Sequence, residues 1–351
     1  MERRRRMGTR KQVAESAGVS EATVSRVFNG VTPMKESTRR RVLEAAEALG
    51  YTPSVIAQRF ARGVSGTIGV VLPYVPKVHL FSTYYFSEIL SGIGEAVRDN
   101  GHDLLLLFRS PSEDTDYEPL YKSQKVDGCI MLGASDRPDE RKALQALARS
   151  GHPFCLVNQH YEGEQWNEVD ADHVDGSYRL VKHLLACGHR RIAFLNGQAA
   201  YSNSRDRLKG YRLALAEAGV AIDESLLLEG NYSRTSGFAA ARSIAGLRGA
   251  VDAVFAGNDR MAIGLMQGLR ELGVKPGVDI AIAGYDDSDA SRLTDPPLTT
   301  VHVPFFEMGR IAAERLFACT GRTEEALPPE KLATELIVRQ STALARPREA
   351  D

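Results

Sequence analysis

Polar residues close several of the apolar runs in this sequence: Asn158 after "PFCLV", Asn258-Asp259 after "AVFAG", and Asp286-Asp287 after "IAIAGY". Arg205 and Arg207 open a helical run, and Tyr232 follows "EGN". Carboxylate, amide, guanidinium and aromatic ring together suit a carbohydrate, because hydroxyls take paired hydrogen bonds and C–H faces stack on rings. Each residue also has an ordinary reading, since Asp or Asn at a strand end is commonly a helix cap and an Arg on a helix is usually solvated. A second set lies near the N-terminus in "VSEATVSRVFNG". There Arg26 suits guanine O6/N7, Ala22 a thymine methyl and Glu21 the cytosine N4 amine. Thr9, Ser25 and Asn29 suit phosphates, and Thr23 shares the same outer face.

The N-terminal set needs helices to position it. Thr9 and Gln12 form a T-x-x-Q capping box, and Val13, Ala14 and Ala17 give the helix behind it a small apolar face. Gly18 ends that helix and Ser20 caps the next, which buries Val24, Val27 and Phe28 before Asn29-Gly30 stops it. "STRRRVLEAAEALGY" places Val42, Ala45, Ala46 and Leu49 at helical spacing, so a third helix closes a three-helix core. Two short helices about a tight turn are either a plain hairpin or a helix-turn-helix, whose second helix enters the major groove N-terminus first. Beyond Pro53, "SVIAQRFARG" reads as a helix too short to be stable alone. Phe60 beside Arg59 and Arg62 suits a minor-groove wedge; otherwise the segment is a linker.

From Ser65 onward, strand-length apolar runs alternate with amphipathic helices. "TIGVVLPY", "HDLLLLFR", "DGCIMLGA" and "PFCLVNQ" form one series, and "RIAFLNG", "SLLLEGN", "AVFAGND" and "IAIAGYDD" a second. Strands apolar on both faces belong to parallel sheets covered by helices, and two doubly wound lobes are the economical arrangement. Ligands of such sheets sit beyond the carboxyl ends of the strands, where the polar residues above fall.

Composition bounds the function. A chain of 351 residues with 43% apolar content has room for two or three domains. Residues 1–62 hold 13 Lys and Arg against 6 Asp and Glu (net +7), leaving 31 against 39 (net −8) for the rest. A basic head on an acidic body predicts that only the head meets phosphate, unless "RRRR" is merely a solvated tail. No run of about 18 apolar residues offers a membrane span, and "MERRRRMGTRKQ" lacks the apolar region of a secretory signal, so the expected location is the cytosol and no membrane partner is expected. The four cysteines are scattered, two of them in apolar runs, and predict buried thiols rather than a metal site.

"VAESAGVSEATVSRVFNG" followed by "TRRRVLEAAEALGYTPSVIAQRFARG" resembles the DNA-binding head and hinge of the lactose/galactose-repressor (LacI/GalR) family. The resemblance continues through "GHRRIAFLNG", "SRDRLKGYRLALAEAG", "GNYSRTSGF", "AVFAGNDRMAIGLMQGLRELG" and "IAIAGYDDSDASRLTDPPLTTV", in order. It implies a small all-α helix-turn-helix head and a two-lobed α/β core of the periplasmic-binding-protein type, with two doubly wound parallel sheets. The expected bounds are 1–52 for the head, 53–64 for the hinge, 65–170 with 302–328 for the first lobe, and 171–301 with 329–345 for the second. The implied DNA contacts are Thr9, Ser20, Glu21, Ala22, Thr23, Ser25, Arg26 and Asn29, with Ala57 and Phe60 in the hinge. The implied effector contacts are Arg207, Tyr232, Asn258 and Asp286, with Asn158 where several members carry Asp.

Three features depart from the family pattern. Arg10 stands at a usually apolar position and is expected to loosen the first helix, and Phe60 stands where the hinge usually has Leu. "YVPKVHLFSTYYFSEIL" is longer and more aromatic than usual; Tyr84, Tyr85 and Phe86 either form a stacking wall for a sugar or pack between subunits. The family reading implies a regulator, most simply a repressor, that binds a near-palindromic double-stranded operator as a homodimer. The ending at Asp351 without a heptad tail favours a dimer over a tail-joined tetramer. Its effector would be a small molecule, a sugar or sugar derivative, with no cofactor. A transport solute-binding protein shares the two-lobe pattern but has no use for the head. An enzyme is disfavoured, because no GxSxG, HExxH or Walker A motif occurs.

Overall fold

The computed structural model describes residues 8–54, 58–59, 63–74, 80–110, 115–247, 249–319 and 328–342. The chain divides into two compact units, one of residues 1–66 with 122–126, the other of the remainder. Ala57 and Phe60 lie outside the described residues.

Among its described residues the first unit carries helices α1 (Arg10–Ala17), α2 (Glu21–Phe28) and α3 (Glu36–Leu49). The capping box forms as the spacing predicts: Gln12 N–H donates to the Thr9 hydroxyl, and Thr9 N–H donates to Gln12 Oε1. Gly18 ends α1 at φ 61°, a left-handed conformation glycine adopts without steric cost, and so allows the tight turn into α2. Ser20 caps α2 by accepting from Thr23 N–H. Val13, Ala14, Ala17, Val24, Val27, Val42, Ala45 and Ala46 form the buried core between the three helices. Alanines on α1 and α3 let the short helices approach closely enough to share so small a core.

The second unit holds two parallel sheets. In the first lobe these are β1 (Thr67–Pro73), β2 (Asp103–Arg109), β3 (Gly128–Leu132), β4 (Phe154–Val157) and β5 (Glu168–Ala171). Helices α4 (Tyr84–Asp99), α5 (Glu118–Lys122) and α6 (Pro138–Arg149) alternate with them. The second lobe holds β6 (Ile192–Asn196), β7 (Leu227–Glu229), β8 (Ala253–Ala256) and β9 (Ala281–Ala283). Its helices are α7 (His173–Ala186), α8 (Ser202–Glu217), α9 (Arg234–Gly246), α10 (Asp259–Glu271) and α11 (Asp289–Arg292).

The chain then returns through β10 (Thr300–His302), α12 (Phe305–Cys319), β11 (Glu330–Leu332) and β12 (Glu335–Ile337). Strand orders are β11-β5-β4-β3-β1-β2 and β7-β6-β8-β9, while β10 and β12 form a separate antiparallel pair. Two sequence expectations change here. The strand at 168–171 is additional to the sequence expectation, because "NEVDA" carries little apolar signal although Val169, Asp170 and Ala171 are buried. The C-terminal return is also split: β11 extends the first sheet beside β5, so residues 330–332 belong to the first lobe, and "TELIVRQST" contributes β12 to the antiparallel pair rather than to the second sheet.

Candidate functional site

In the head, α2 exposes Ala22 and Arg26, one helical turn apart on one face. Glu21 is held from the side: Arg10 Nε donates to its Oε2 at 2.8 Å. Arg10 therefore begins a well-capped α1 and ties it to α2, rather than loosening it. The other polar side chains are already in local hydrogen bonds. The Thr9 and Ser20 hydroxyls serve as caps, Thr23 Oγ1 meets Ser20 Oγ at 3.0 Å, and Asn29 Nδ2 donates to Ser25 Oγ at 3.3 Å.

In the core, the carboxyl ends of the strands surround a cavity of about 510 Å³. Asn158, Arg207, Tyr232, Asn258, Asp286 and Tyr85 of the sequence-derived set all line it. Tyr84 is not in the lining; its ring stands edge-on to Phe305, 6.1 Å between centroids. Phe86 also reaches the cavity, so two of the three aromatic residues at the start of α4 face it.

Arg207 organises the site. Its side chain is 3% exposed, lies 4.3 Å over the Tyr285 ring, donates to the Tyr232 hydroxyl at 3.1 Å, and stands 3.9 Å from Asp286. The Tyr232 hydroxyl in turn donates to Asn203 Oδ1 at 2.9 Å and bonds Ser204 Oγ. Burial holds the Asp286 pKa well above the usual carboxylate range, against the lowering effect of Arg207. Asn158 Oδ1 lies 2.6 Å from His173 Nε2; an amide oxygen only accepts, so the ring proton sits there, and burial keeps that histidine neutral. Asn258 has the structural role that sequence left open: Oδ1 caps α10 by accepting from Met261 N–H, and Nδ2 donates to the Tyr232 carbonyl at 3.2 Å.

Backbone conformation singles out the same place. Five non-glycine residues among those described have positive φ; Asn158 (59°), Tyr232 (63°) and Asp286 (111°) line the cavity, and Asp287 (56°) adjoins it. Such conformations cost about 1–3 kcal/mol each and collect where ligands are held. The neighbouring Asp287 turns away into a structural cluster, with Arg339 and His302 against it.

Sequence reasoning missed Gln198, Tyr201, Asn203 and Arg260 in the lining, together with Thr83 at the start of α4. Arg260 carried a signal, since it directly follows Asn258-Asp259 at a strand end; Gln198 lies in a loop with no periodicity to mark it, and Asn203 stands in the first turn of α8, just before the run the sequence marks as helical. A smaller cavity of about 240 Å³, lined by Arg109, Tyr117, Arg137 and Glu140, shares Gly133, Gln198 and Tyr201 with the first. Asp170 Oδ2 and Asp206 Oδ1 approach opposite nitrogens of the His160 ring, at 2.9 and 3.9 Å. Only the contact with Asp170 is a hydrogen bond; Asp206 stands at ion-pair distance. No helix among the described residues is long and apolar enough to cross a membrane.

A helix-turn-helix head joined to a two-lobed core with a lined cavity at its strand ends defines a class, the ligand-binding DNA-binding regulators. Residues 9–54 match the family model for bacterial regulatory proteins of the lacI family, and residues 181–342 that for the periplasmic binding protein-like domain. The HTH-type transcriptional regulator DegA of Bacillus subtilis is 34% identical over 94% of this chain and 97% of its own length. Among solved structures, a transcriptional regulator CelR–cellobiose complex is 33% identical, covering 95% of this chain and 99% of its own, with TM-score 0.71. A Lac repressor dimer bound to operator and the anti-inducer ONPF is 29% identical, covering 96% and 100%, with TM-score 0.79. The chain belongs to the lacI family of bacterial regulatory proteins, and is a helix-turn-helix transcriptional regulator.

Proposed function

We propose that this regulator is a cytosolic repressor that binds a near-palindromic operator as a homodimer and is controlled by a carbohydrate or carbohydrate derivative held between its lobes. The observation that carries this reading is the cavity's lining: Tyr85, Phe86, Tyr201 and Tyr232 offer ring faces, while Asn158, Gln198, Asn203 and Asp286 offer hydrogen-bonding groups. That is the division of labour sugar recognition needs, with few charges and many adaptable polar partners. The cellobiose held by the CelR relative and the operator-bound dimer of the Lac repressor relative support the same reading.

In this reading Arg26 and Ala22 read bases, and the other head residues position the backbone of the duplex. Glu21 contributes to base reading only when Arg10 releases it. Arg207, Tyr232, Asn158 and Asp286 hold effector, while Asn258 keeps Tyr232 in place. A ligand that binds the closed lobes better than the open ones shifts their equilibrium, and couplings of this kind are worth about 1–3 kcal/mol. The chain acts by binding, not catalysis.

The experiment is a thermal-shift screen of the intact protein against monosaccharides, disaccharides and their acids and phosphates, followed by operator-binding titrations with each hit. A stabilising ligand that changes operator affinity fivefold or more supports the reading. Saccharides that leave both the melting temperature and operator affinity unmoved refute it.

A further inference from the structure

The larger cavity has an imbalance of charge that a neutral sugar does not use. Its basic and acidic lining is Arg207, Arg260 and Asp286. Arg207 has the Tyr232 hydroxyl, the Tyr285 ring and, at 3.9 Å, Asp286 around it, although its buried Nε makes no hydrogen bond. Arg260, at the second position of α10 and half-buried, has less still. Its one side-chain hydrogen bond among the described residues is from Nη1 to Thr83 Oγ1 at 3.3 Å. Burial works against its charge, with only the more distant Asp286 in its favour. Asp286 offers less than a full counter-charge, since burial favours its neutral form.

The surroundings add to the imbalance. Tyr201, Ser233 and Asn258 are the residues that precede α8, α9 and α10, and all three line the cavity. Three helices of thirteen to sixteen residues therefore turn their positive ends toward it. A partly desolvated guanidinium without a carboxylate, in such a field, is a site for an anion, and a planar two-oxygen acid matches its fork.

Resting on the carbohydrate reading above, we propose that the effector is an acidic saccharide whose carboxylate or phosphate sits on the Arg260 guanidinium and the Thr83 hydroxyl. The two residues stand on opposite lobes: Thr83 precedes α4 of the first and Arg260 begins α10 of the second. The present Arg260–Thr83 bond thus marks a seam that the acid would enter, accepting from both sides and drawing the lobes onto the sugar ring, which lies against Tyr232 and Tyr85. The effector's charge supplies the closure, and its hydroxyls the selectivity.

The test is isothermal titration and thermal shift of the full-length protein with glucose, galactose and cellobiose, and with glucuronate, galacturonate, gluconate and glucose 6-phosphate. The proposal expects at least one acid to bind tenfold or more tighter than its neutral counterpart. The uronates and the phosphate are separate arms, so whichever binds identifies the source of the charge. Arg260→Met is expected to abolish that preference and Arg260→Lys to keep part of it; the ratio of acid to neutral affinity is unaffected by a general loss of stability. Neutral sugars binding as well as the acids, or an unchanged ratio in Arg260→Met, overturns the proposal and leaves the carbohydrate reading standing. If no saccharide of either kind binds, both fall.

Discussion

Arg10 Nε donates to Glu21 Oε2 at 2.8 Å, so the first residues of α1 and α2 hold one another across the turn of the head. Both side chains are about half exposed, and such a pair contributes only about 0–1 kcal/mol. Its consequence is for chemistry rather than stability, because it occupies the one carboxylate at the leading end of α2, the helix proposed above to read the operator. Arg10→Ala is therefore expected to leave melting nearly unchanged while altering base preference at one operator position, where a free Glu21 favours cytosine. Selection of binding sites from a random pool by the two proteins measures this, and identical consensus sequences would show that Glu21 reads nothing.

Arg26 is exposed on α2, one turn beyond Ala22, and is the long cation best placed to reach a guanine edge. Arg26→Ala is expected to weaken operator binding by about 1–3 kcal/mol and to relax one base position. Titrations against single-base operator variants decide the point: a uniform loss across all variants would assign Arg26 to a phosphate instead.

Asp286 faces the buried Arg207 at 3.9 Å from a strained backbone conformation, φ 111°. Asp286→Ala leaves that guanidinium without its carboxylate, so effector response is expected to disappear while operator binding persists. A stability loss of about 1–3 kcal/mol is expected alongside, in the range for leaving a buried polar group short of its partner. Asp286→Gly relieves the strain and serves as control. If both variants lose operator binding together with the response, the residue supports folding and not signalling.

Gly92 of α4 and Gly309 of α12 face each other's helices. A Cβ on Gly92 would stand 2.0 Å from the Phe306 carbonyl oxygen, and one on Gly309 would stand 2.1 Å from that of Ile89. Neither backbone can yield cheaply, so Gly92→Ala is expected to cost about 1–3 kcal/mol or more by overpacking. At about 2–4 °C per kcal/mol for a unit of this size or smaller, calorimetry resolves the drop easily. An unchanged transition would mean that the two helices slide apart at no cost.

His160 stands between the lobes, hydrogen-bonded to Asp170 on β5 and 3.9 Å from Asp206 on α8. The hydrogen bond to Asp170 raises the His160 pKa, the charges of Asp170, Asp206 and Glu168 acting in the same sense against burial. A raised histidine contributes stability that is complete below its unfolded value, near 6.5, and lost as pH rises through the folded value. Burial raises the Asp206 pKa, which Lys331, Lys209 and His160 oppose, so its ionisation also removes stability as pH rises. Melting temperature is thus expected to fall as pH rises above about 6.5 through the raised value of His160, and His160→Asn to flatten that slope. Equal slopes in the two proteins would sink this assignment.

Much of this was legible before any coordinates. The head could be read residue by residue because its determinants are local: a capping box within three residues, a glycine at the turn, and apolar side chains at helical spacing. The strand ends could be read because apolar runs stop abruptly at Asn158, Asn258 and Asp286. Composition set a basic head against an acidic body, and the order of segments set the family.

Tertiary structure decided what each polar residue is for. Nothing in sequence spacing says that Arg10 meets Glu21, that Asn258 spends its side chain on a cap and on Tyr232, or that Tyr85 faces the cavity while Tyr84 packs on Phe305. Nor does it say that Arg260, 177 positions from Thr83 along the chain, meets it across the lobes. Hydrogen bonding and burial depend on which groups converge in space, and convergence between residues far apart in the chain is fixed only when the sheets and helices pack. The short β5 and the split return through β11 and β12 were lost for the same reason: their strands exist through pairing with distant partners, not through any periodicity of their own.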